Sequence, residues 1–193
     1  MNTAFGMSFD TSGNLNSIQA SFGSSGVFYS LNPATGSTVS SNNLSGGLSI
    51  YSQLGGGLAY SGDGNYYFAD SPAGGLQPDG RLVRIQSDAT ATVIGSFAGT
   101  GYDKTKWQSL FSSGPNTYLL NSSNLYLVDL SDASLDLLGN ISGLPVEFSS
   151  GFSGAVGTPD APAVVPEPGT WAAAALLAGG AAFMRWRKRA KVS

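Results

Sequence analysis

The 193-residue sequence contains no cysteine and no histidine. Without cysteine it has no disulfide and no thiolate nucleophile, and without histidine it has no imidazole base. The usual zinc ligand sets are excluded as well, since they are built from these two residue types. Charged residues are also scarce, at 11% of the chain, about half of the usual share. We therefore expect no metal site, no cofactor and no enzymatic activity.

Small and apolar residues make up most of what remains. The chain has 27 glycines, and 41% of its residues are hydrophobic and 11% aromatic. So much glycine is typical of low-complexity segments. The apolar content argues against disorder, because it supplies surface that can be buried to offset ordering entropy. Together they predict a folded body of short, turn-rich elements, mostly β.

The net charge of −3 hides a split along the chain. Residues 1–168 contain all twelve acids and only four basic residues, which gives −8, and the last nine positions carry the other five basic residues. An acidic body argues against nucleic-acid binding, which needs a basic surface. A basic cluster that follows an apolar run is typical of a membrane segment with its basic end in the cytoplasm.

The C-terminal part has three compositions in succession. Residues 157–168 contain four prolines and predict a stiff, extended linker. Residues 169–186 are predominantly apolar and would span roughly 27 Å as a helix. The expected anchoring side chains are Trp171, Leu176, Leu177, Phe183 and Trp186. Residues 187–193 form a basic tail, and the expected stop-transfer residues are Arg185, Arg187, Lys188, Arg189 and Lys191. A buried core helix and a plain, unprocessed tail anchor are the alternatives.

Residues 165–193 resemble the PEP-CTERM sorting signal. The resemblance rests on the motif formed by Val165, Pro166, Glu167, Pro168 and Gly169, on the apolar segment after it and on the basic end, in that order. It implies transient recognition and cleavage by an exosortase, a membrane-embedded cysteine transpeptidase, in a bacterium with an outer membrane. It also implies a precursor in the inner membrane with its C-terminus inside, and a mature form at the cell surface or in the extracellular matrix.

Such substrates enter the secretory route through an N-terminal signal peptide. The sequence MNTAFGMSFDTSGNL has neither a basic n-region nor an apolar run of sufficient length. Because the sequence pattern also suggests that the chain begins inside a repeat, we expect that an N-terminal portion is missing.

Residues 1–156 contain an internal repeat. Phe9, Tyr60 and Phe111 are each 51 positions apart, in the segments GMSFDTSGNL, GLAYSGDGNY and QSLFSSGPNTY. A second strand–turn–strand segment follows each of them, at 27–39, 81–95 and 125–139. Each repeat of about 40–50 residues is thus predicted to hold two hairpins, that is, four short strands.

Four strands are the content of one β-propeller blade. The order of aromatic strands and turns in each repeat also loosely resembles the propeller-like repeats of bacterial surface proteins. Three blades and a partial fourth at 148–157 would form an incomplete propeller, and a β-sandwich of similar hairpins is the alternative. The predicted architecture is this β-repeat body, the proline-rich linker and one C-terminal transmembrane helix.

The body offers few candidate chemical sites. Asp63 and Asn65 lie too close together for a calcium loop and predict a hairpin turn. Asp132 and Asp136 alternate with leucines and predict the solvent face of a strand. Residues 55–57, three glycines, lack the Lys and Ser/Thr of a phosphate loop and predict a linker between repeats.

Two groups of aromatic residues could line a sugar-binding surface or belong to the core. They are Tyr66, Tyr67 and Phe68, and the pair Tyr51 and Tyr60. On alternating strands, core packing is the favoured interpretation.

The sequence therefore predicts an exported, non-catalytic protein of the cell surface, with extracellular polysaccharide as a candidate partner. The alternatives are a secreted propeller-type polysaccharide hydrolase or lyase, and an unprocessed tail-anchored membrane protein.

Overall fold

The computed structural model describes residues 3–20, 23, 25–50, 56–71 and 80–142. All of them belong to the first of two compact units, Met1–Asp160, and the second unit is Ala161–Ser193. The linker, the apolar segment, the basic tail and the partial fourth repeat lie outside the described residues. Within the described ranges, no helix is long and apolar enough to cross a bilayer.

The described residues form twelve strands in three four-stranded antiparallel sheets, and each sheet follows chain order. The first sheet consists of β1 (Thr3–Phe9), β2 (Leu15–Ala20), β3 (Val27–Leu31) and β4 (Thr38–Asn43). The second consists of β5 (Leu58–Tyr60), β6 (Tyr66–Asp70), β7 (Arg81–Ile85) and β8 (Ala91–Ser96). The third consists of β9 (Gln108–Ser113), β10 (Asn116–Asn121), β11 (Asn124–Val128) and β12 (Leu135–Asn140). The prediction of mostly β structure with two hairpins per repeat is confirmed.

The first repeat has four strands like the other two, because β1 to β4 form a four-stranded sheet. Strand pairing corrects the alignment of the repeats. Phe9 pairs with Leu15 and Tyr60 with Tyr66, but the corresponding pair of the third sheet is Ser112 with Thr117. Phe111 lies one position earlier and so on the opposite face, because a two-residue loop shortens the β9–β10 turn.

The three sheets pack face to face through two apolar clusters. One cluster joins the first and second sheets and includes Ile18, Phe28, Phe68 and Val83. The other joins the second and third sheets through side chains of the same strands, such as Tyr67 and Leu82, and side chains of β9 to β12. Successive residues of β6 point alternately into the two clusters, so all five of its residues are buried.

The glycines before β5 bring neighbouring sheets close together. The backbone N–H of Leu110 donates to the carbonyl of Gly56 over 3.0 Å. Gly57 has φ of +84°, and a Cβ there would collide with the backbone of Leu110. Gly56 and Gly57 lie between the first two sheets, as the prediction of a linker has it, and they also form part of the contact between the second and third sheets.

Candidate functional site

Every residue predicted to belong to the sorting signal or to the membrane anchor lies outside the described residues. This holds for the motif at 165–169, for the apolar positions of 169–186 and for the basic positions of 185–191. The described residues do show how the carboxylates, aromatic rings and buried polar groups of the body are used.

Six of the described aspartates close turns. In each, one side-chain oxygen accepts the backbone N–H of the residue two positions later, at 2.8–2.9 Å. The pairs are Asp10 with Ser12, Asp63 with Asn65, Asp88 with Thr90, Asp103 with Thr105, Asp129 with Ser131 and Asp132 with Ser134. This is the Asx turn, in which the side chain imitates a backbone turn.

These hydrogen bonds favour the charged carboxylates. Partial burial tends to raise the pKa of Asp10 and Asp63, but hydrogen bonds from Asn14 and Asn65 outweigh it, and both pKa values are lowered. Hydrogen bonds that Asp88, Asp103 and Asp129 accept from the Thr or Ser residue two positions later likewise lower the pKa of each carboxyl. Such carboxylates stay ionised at neutral pH and are unsuited to act as general acids.

The prediction that Asp63 belongs to a hairpin turn is confirmed. Its second oxygen accepts hydrogen bonds from the Asn65 amide at 2.9 Å and from the Tyr67 hydroxyl at 2.7 Å. Burial and this carboxylate raise the pKa of Tyr67 far above its ordinary value. The phenol is therefore a permanent donor and holds the turn against β6.

The second acidic group is divided between a turn and a strand. Asp132 lies in the turn before β12, which corrects its expected place on a strand, whereas Asp136 is exposed on β12 as predicted. A surface cavity of about 290 Å³ brings Asp129 and Asp136 together with Asn116 and Leu130. Asp129 already accepts hydrogen bonds from the N–H and hydroxyl of Ser131. Among the described residues, no three His, Cys, Asp or Glu side chains form a group that could hold a metal ion.

The aromatic residues of β6 belong to the core, which is the interpretation that the sequence favoured over a sugar-binding surface. Tyr66 and Tyr67 are 4% and 3% exposed, and Phe68 is fully buried. The rings of Phe28 and Tyr60 each lie 4.9 Å from that of Tyr66. Tyr51 lies outside the described residues. None of the three β6 rings is open to a sugar.

Two separate groups of buried polar side chains lie where β6 ends and where β7 and β9 begin. Asp70 is fully buried and forms an ion pair with Arg81 at 2.7 Å. Gln108, 1% exposed, donates to Ser71 and to Tyr102 at 2.9 and 2.8 Å. Sequence reasoning missed both groups, because their members belong to no motif and Gln108 contacts Ser71 of another sheet, 37 positions away. Buried, paired groups of this kind set the geometry of the fold.

No family model matches the chain, and no curated protein matches it significantly. Solved structures of low similarity do match. A protein of unknown function from Bacteroides caccae is 11% identical, with a TM-score of 0.47, and the match covers 79% of this chain and 49% of that one. The major allergen Mala s 1 of Malassezia sympodialis is 17% identical, with a TM-score of 0.47 and coverage of 74% and 52%. A virginiamycin B lyase from Staphylococcus aureus is 12% identical, with a TM-score of 0.43 and coverage of 70% and 41%. The chain thus spans about half the length of these structures.

Proposed function

We propose that this chain is an exported bacterial protein of the cell surface or of the extracellular polysaccharide, with a non-catalytic β-repeat body and a C-terminal PEP-CTERM-type sorting signal. The precursor is anchored in the inner membrane with its body outside the cytoplasm and its C-terminus inside. An exosortase then cleaves it near Pro166–Glu167–Pro168, and the mature body is released to the surface or matrix.

The use of the carboxylates is the observation that carries the non-catalytic role. Six of the eight described aspartates close turns, and a seventh, Asp70, is paired with Arg81 in the core. Polysaccharide hydrolysis by a carboxylate pair needs two acids that converge across a cleft, one of them with a raised pKa. The six turn aspartates are spread over five loops, with Asp129 and Asp132 in the same loop, and five of the six have lowered pKa values.

The sheet order supports a propeller-like body over a sandwich. A sandwich buries one face of each of two sheets, whereas the second sheet here is covered on both faces. Successive four-stranded meanders packed face to face are the arrangement of propeller blades.

The charge distribution supports the proposed topology. The body and linker carry −8 and the last nine residues +5, and basic residues that follow an apolar segment remain on the cytoplasmic side. The prolines keep 165–168 out of the helix, and Glu167 keeps it in water. A membrane protease would thus meet an extended, accessible segment just outside the bilayer.

The test replaces Pro166–Glu167–Pro168 with three alanines in the full chain, in a host that has an exosortase. Because the Ala-rich helix can then extend by nearly one turn, we expect the variant to insert but to accumulate as a membrane-bound precursor. The masses of the protein in membrane and medium give the result. The chain is expressed behind a cleavable signal peptide, so that export does not limit the experiment.

The matched control is the double variant Pro159→Ala/Pro162→Ala, which removes two prolines of the same linker outside the motif. We expect this control to be processed like the wild type. Equal processing of the triple variant and the wild type would overturn the sorting role and leave a plain anchor. Loss of membrane insertion in the triple variant would show that the motif has a different role.

A further inference from the structure

The two outer sheets each have one face that no described strand covers. In the first sheet, Ile18 and Phe28 point to the second sheet. The neighbouring row of paired residues, Met7, Ser17 and Tyr29, must point the other way. We call this side the leading face, and its apolar members are Met7, Phe9, Leu15, Tyr29 and Leu31.

The third sheet has the complementary side. Leu110, Leu119 and Tyr126 point to the second sheet, so the alternate residues point away from it. We call this side the trailing face. Its partly exposed apolar members are Phe111, Tyr118, Leu125 and Leu127, whereas Leu120 and its partner Ser109 on the same face are buried. The rings of Phe111 and Tyr118 stack on it at 5.5 Å.

The leading face repeats a surface that is buried elsewhere in the molecule. The register makes Met7 and Tyr29 the counterparts of Leu58 and Val83, which are 1% and 0% exposed against the first sheet. Met7 itself is 47% exposed. The leading face is thus built like a surface that receives a preceding sheet.

The residue that follows the fourth strand of each sheet shows the same difference in burial. Leu44 follows β4 and Phe97 follows β8, and both are 5% exposed because the next sheet covers them. Ile141 follows β12 at the corresponding position and is 39% exposed. All three N–H groups donate to the residue that precedes the third strand of their own sheet, namely Gly26, Gly80 and Ser123.

A backbone bridge fastens each sheet to the next. Ser45 forms a parallel bridge with Thr90, and Ala98 forms one with Ser134. Ser142 follows Ile141 and so corresponds to Ser45 and Ala98. Ser37 precedes β4 and so corresponds in the first sheet to Thr90 and Ser134. Both Ser37 and Ser142 are exposed.

We propose that the trailing face of one copy packs on the leading face of a second copy, and the reverse, so that the described sheets of two chains lie in one ring. The two faces differ from each other, so the contact is head-to-tail, and such contacts form closed rings when the rotation fits. Closed propellers contain roughly four to eight blades. The described residues of two copies supply six sheets, which falls within that range, whereas those of three copies would supply nine.

The area of the two faces fits a stable dimer. Four strands spaced about 4.8 Å apart, each of about five residues, present a flat area of about 300 Å². Two faces per chain, with the relief of their side chains, approach the roughly 800 Å² that a standard interface buries on each partner. The contact would also continue the packing that already joins the three sheets, and this argument does not depend on the sorting role.

The absence of cysteine allows a direct test by disulfide cross-linking. Ser37→Cys and Ser142→Cys are prepared as separate full-length chains in non-ionic detergent, then mixed and oxidised. Paired residues of adjacent strands lie about 5 Å apart at Cα, within disulfide range. We expect the mixture to give a covalent dimer containing one chain of each variant, and each variant alone to give none. Native mass spectrometry of the wild type should show two chains.

The matched control replaces Ser142→Cys by Ser96→Cys, an exposed serine at the end of β8 in the sheet that already has both neighbours. This pair should not cross-link beyond the background of either single variant. A monomeric wild type without cross-linking, as expected if further repeats of a longer chain cover the faces, would overturn the proposal. So would dimers of Ser37→Cys alone, which would mean that two leading faces meet. A dimer held by the apolar C-terminal segment would show two chains but no specific cross-link, and it would also overturn the proposal.

Discussion

At the residue scale, the aspartates stabilise the turns, and their contribution to the free energy of unfolding can be measured at Asp63. Asp63→Ala removes the acceptor for the Asn65 backbone and amide and for the Tyr67 hydroxyl. We expect the free energy of unfolding to fall by about 1 kcal/mol. Asp63→Asn should retain most of the stability, since Asn32 closes the β3–β4 turn with its own side-chain oxygen, accepting from Ala34 at 2.9 Å. Chemical denaturation followed by circular dichroism measures both variants.

Asp136→Ala is the matched control, because Asp136 is exposed on β12 and, within the described residues, no hydrogen bond to the residue two positions later is found for it. A surface substitution of this kind should change stability by no more than about 0.5 kcal/mol. If Asp63→Ala were as mild as this control, the turn would not depend on its Asx hydrogen bonds.

The same carboxylates determine how stability depends on pH. The pKa values of Asp10 and Asp63 are lower in the folded protein than their ordinary value of 3.8. The stability that they contribute is therefore complete above the unfolded pKa and is lost as the pH falls through the folded pKa. We expect the melting temperature to be nearly constant from about pH 7 to 5, where a chain without histidine has no side chain of ordinary pKa to titrate, and to fall below about pH 4.

Calorimetry between neutral and acidic pH measures this dependence. Asp63→Asn should show a smaller acid loss than the wild type, since one of the responsible groups is removed. An identical acid slope in the two proteins would contradict the assignment to this group.

At the element scale, the second and third sheets come close together at Gly57, which has no side chain. Gly57→Ala would place a methyl group against the carbonyl of Leu110 and would impose a φ of +84° on alanine. Both effects act in the same direction, so we expect a loss of about 2 kcal/mol or more in unfolding free energy. Thermal unfolding of the full chain measures it.

Gly139→Ala provides the control, because a Cβ at Gly139 in β12 meets nothing within 4 Å. That variant should be neutral or slightly stabilising. Equal effects of the two substitutions would show that close approach at Gly57 is not what limits the contact between sheets.

At the scale of the whole molecule, the proposed topology can be tested with reporters. A reporter that works only outside the cytoplasm should be inactive when it follows Ser193, since five basic residues keep that end inside. The same reporter placed after Gly157 should be active, because the body is expected outside. Both fusions are assayed in the same exporting host. Activity of the Ser193 fusion would refute the proposed orientation.

The repeat and its hairpins could be read from the sequence because the signals are local. Asp-Gly-Asn at 63–65 and Asn-Pro-Ala-Thr-Gly at 32–36 encode turns through side-chain hydrogen bonds and residues that tolerate positive φ. Alternation of apolar residues then determines the strands between them. The absence of cysteine and histidine, and the segregation of charge, are likewise properties of composition alone.

Only the tertiary structure decided what each face packs against. Phe111 resembles Phe9 and Tyr60 in spacing, but a one-residue difference in the turn moves it to the opposite face, because side chains alternate strictly along a strand. The contact of Gly57 with Leu110 and the hydrogen bond from Gln108 to Ser71 join residues of the second and third sheets. Such contacts exist only once the sheets are stacked, whereas the turns and strands are set by neighbours in the chain.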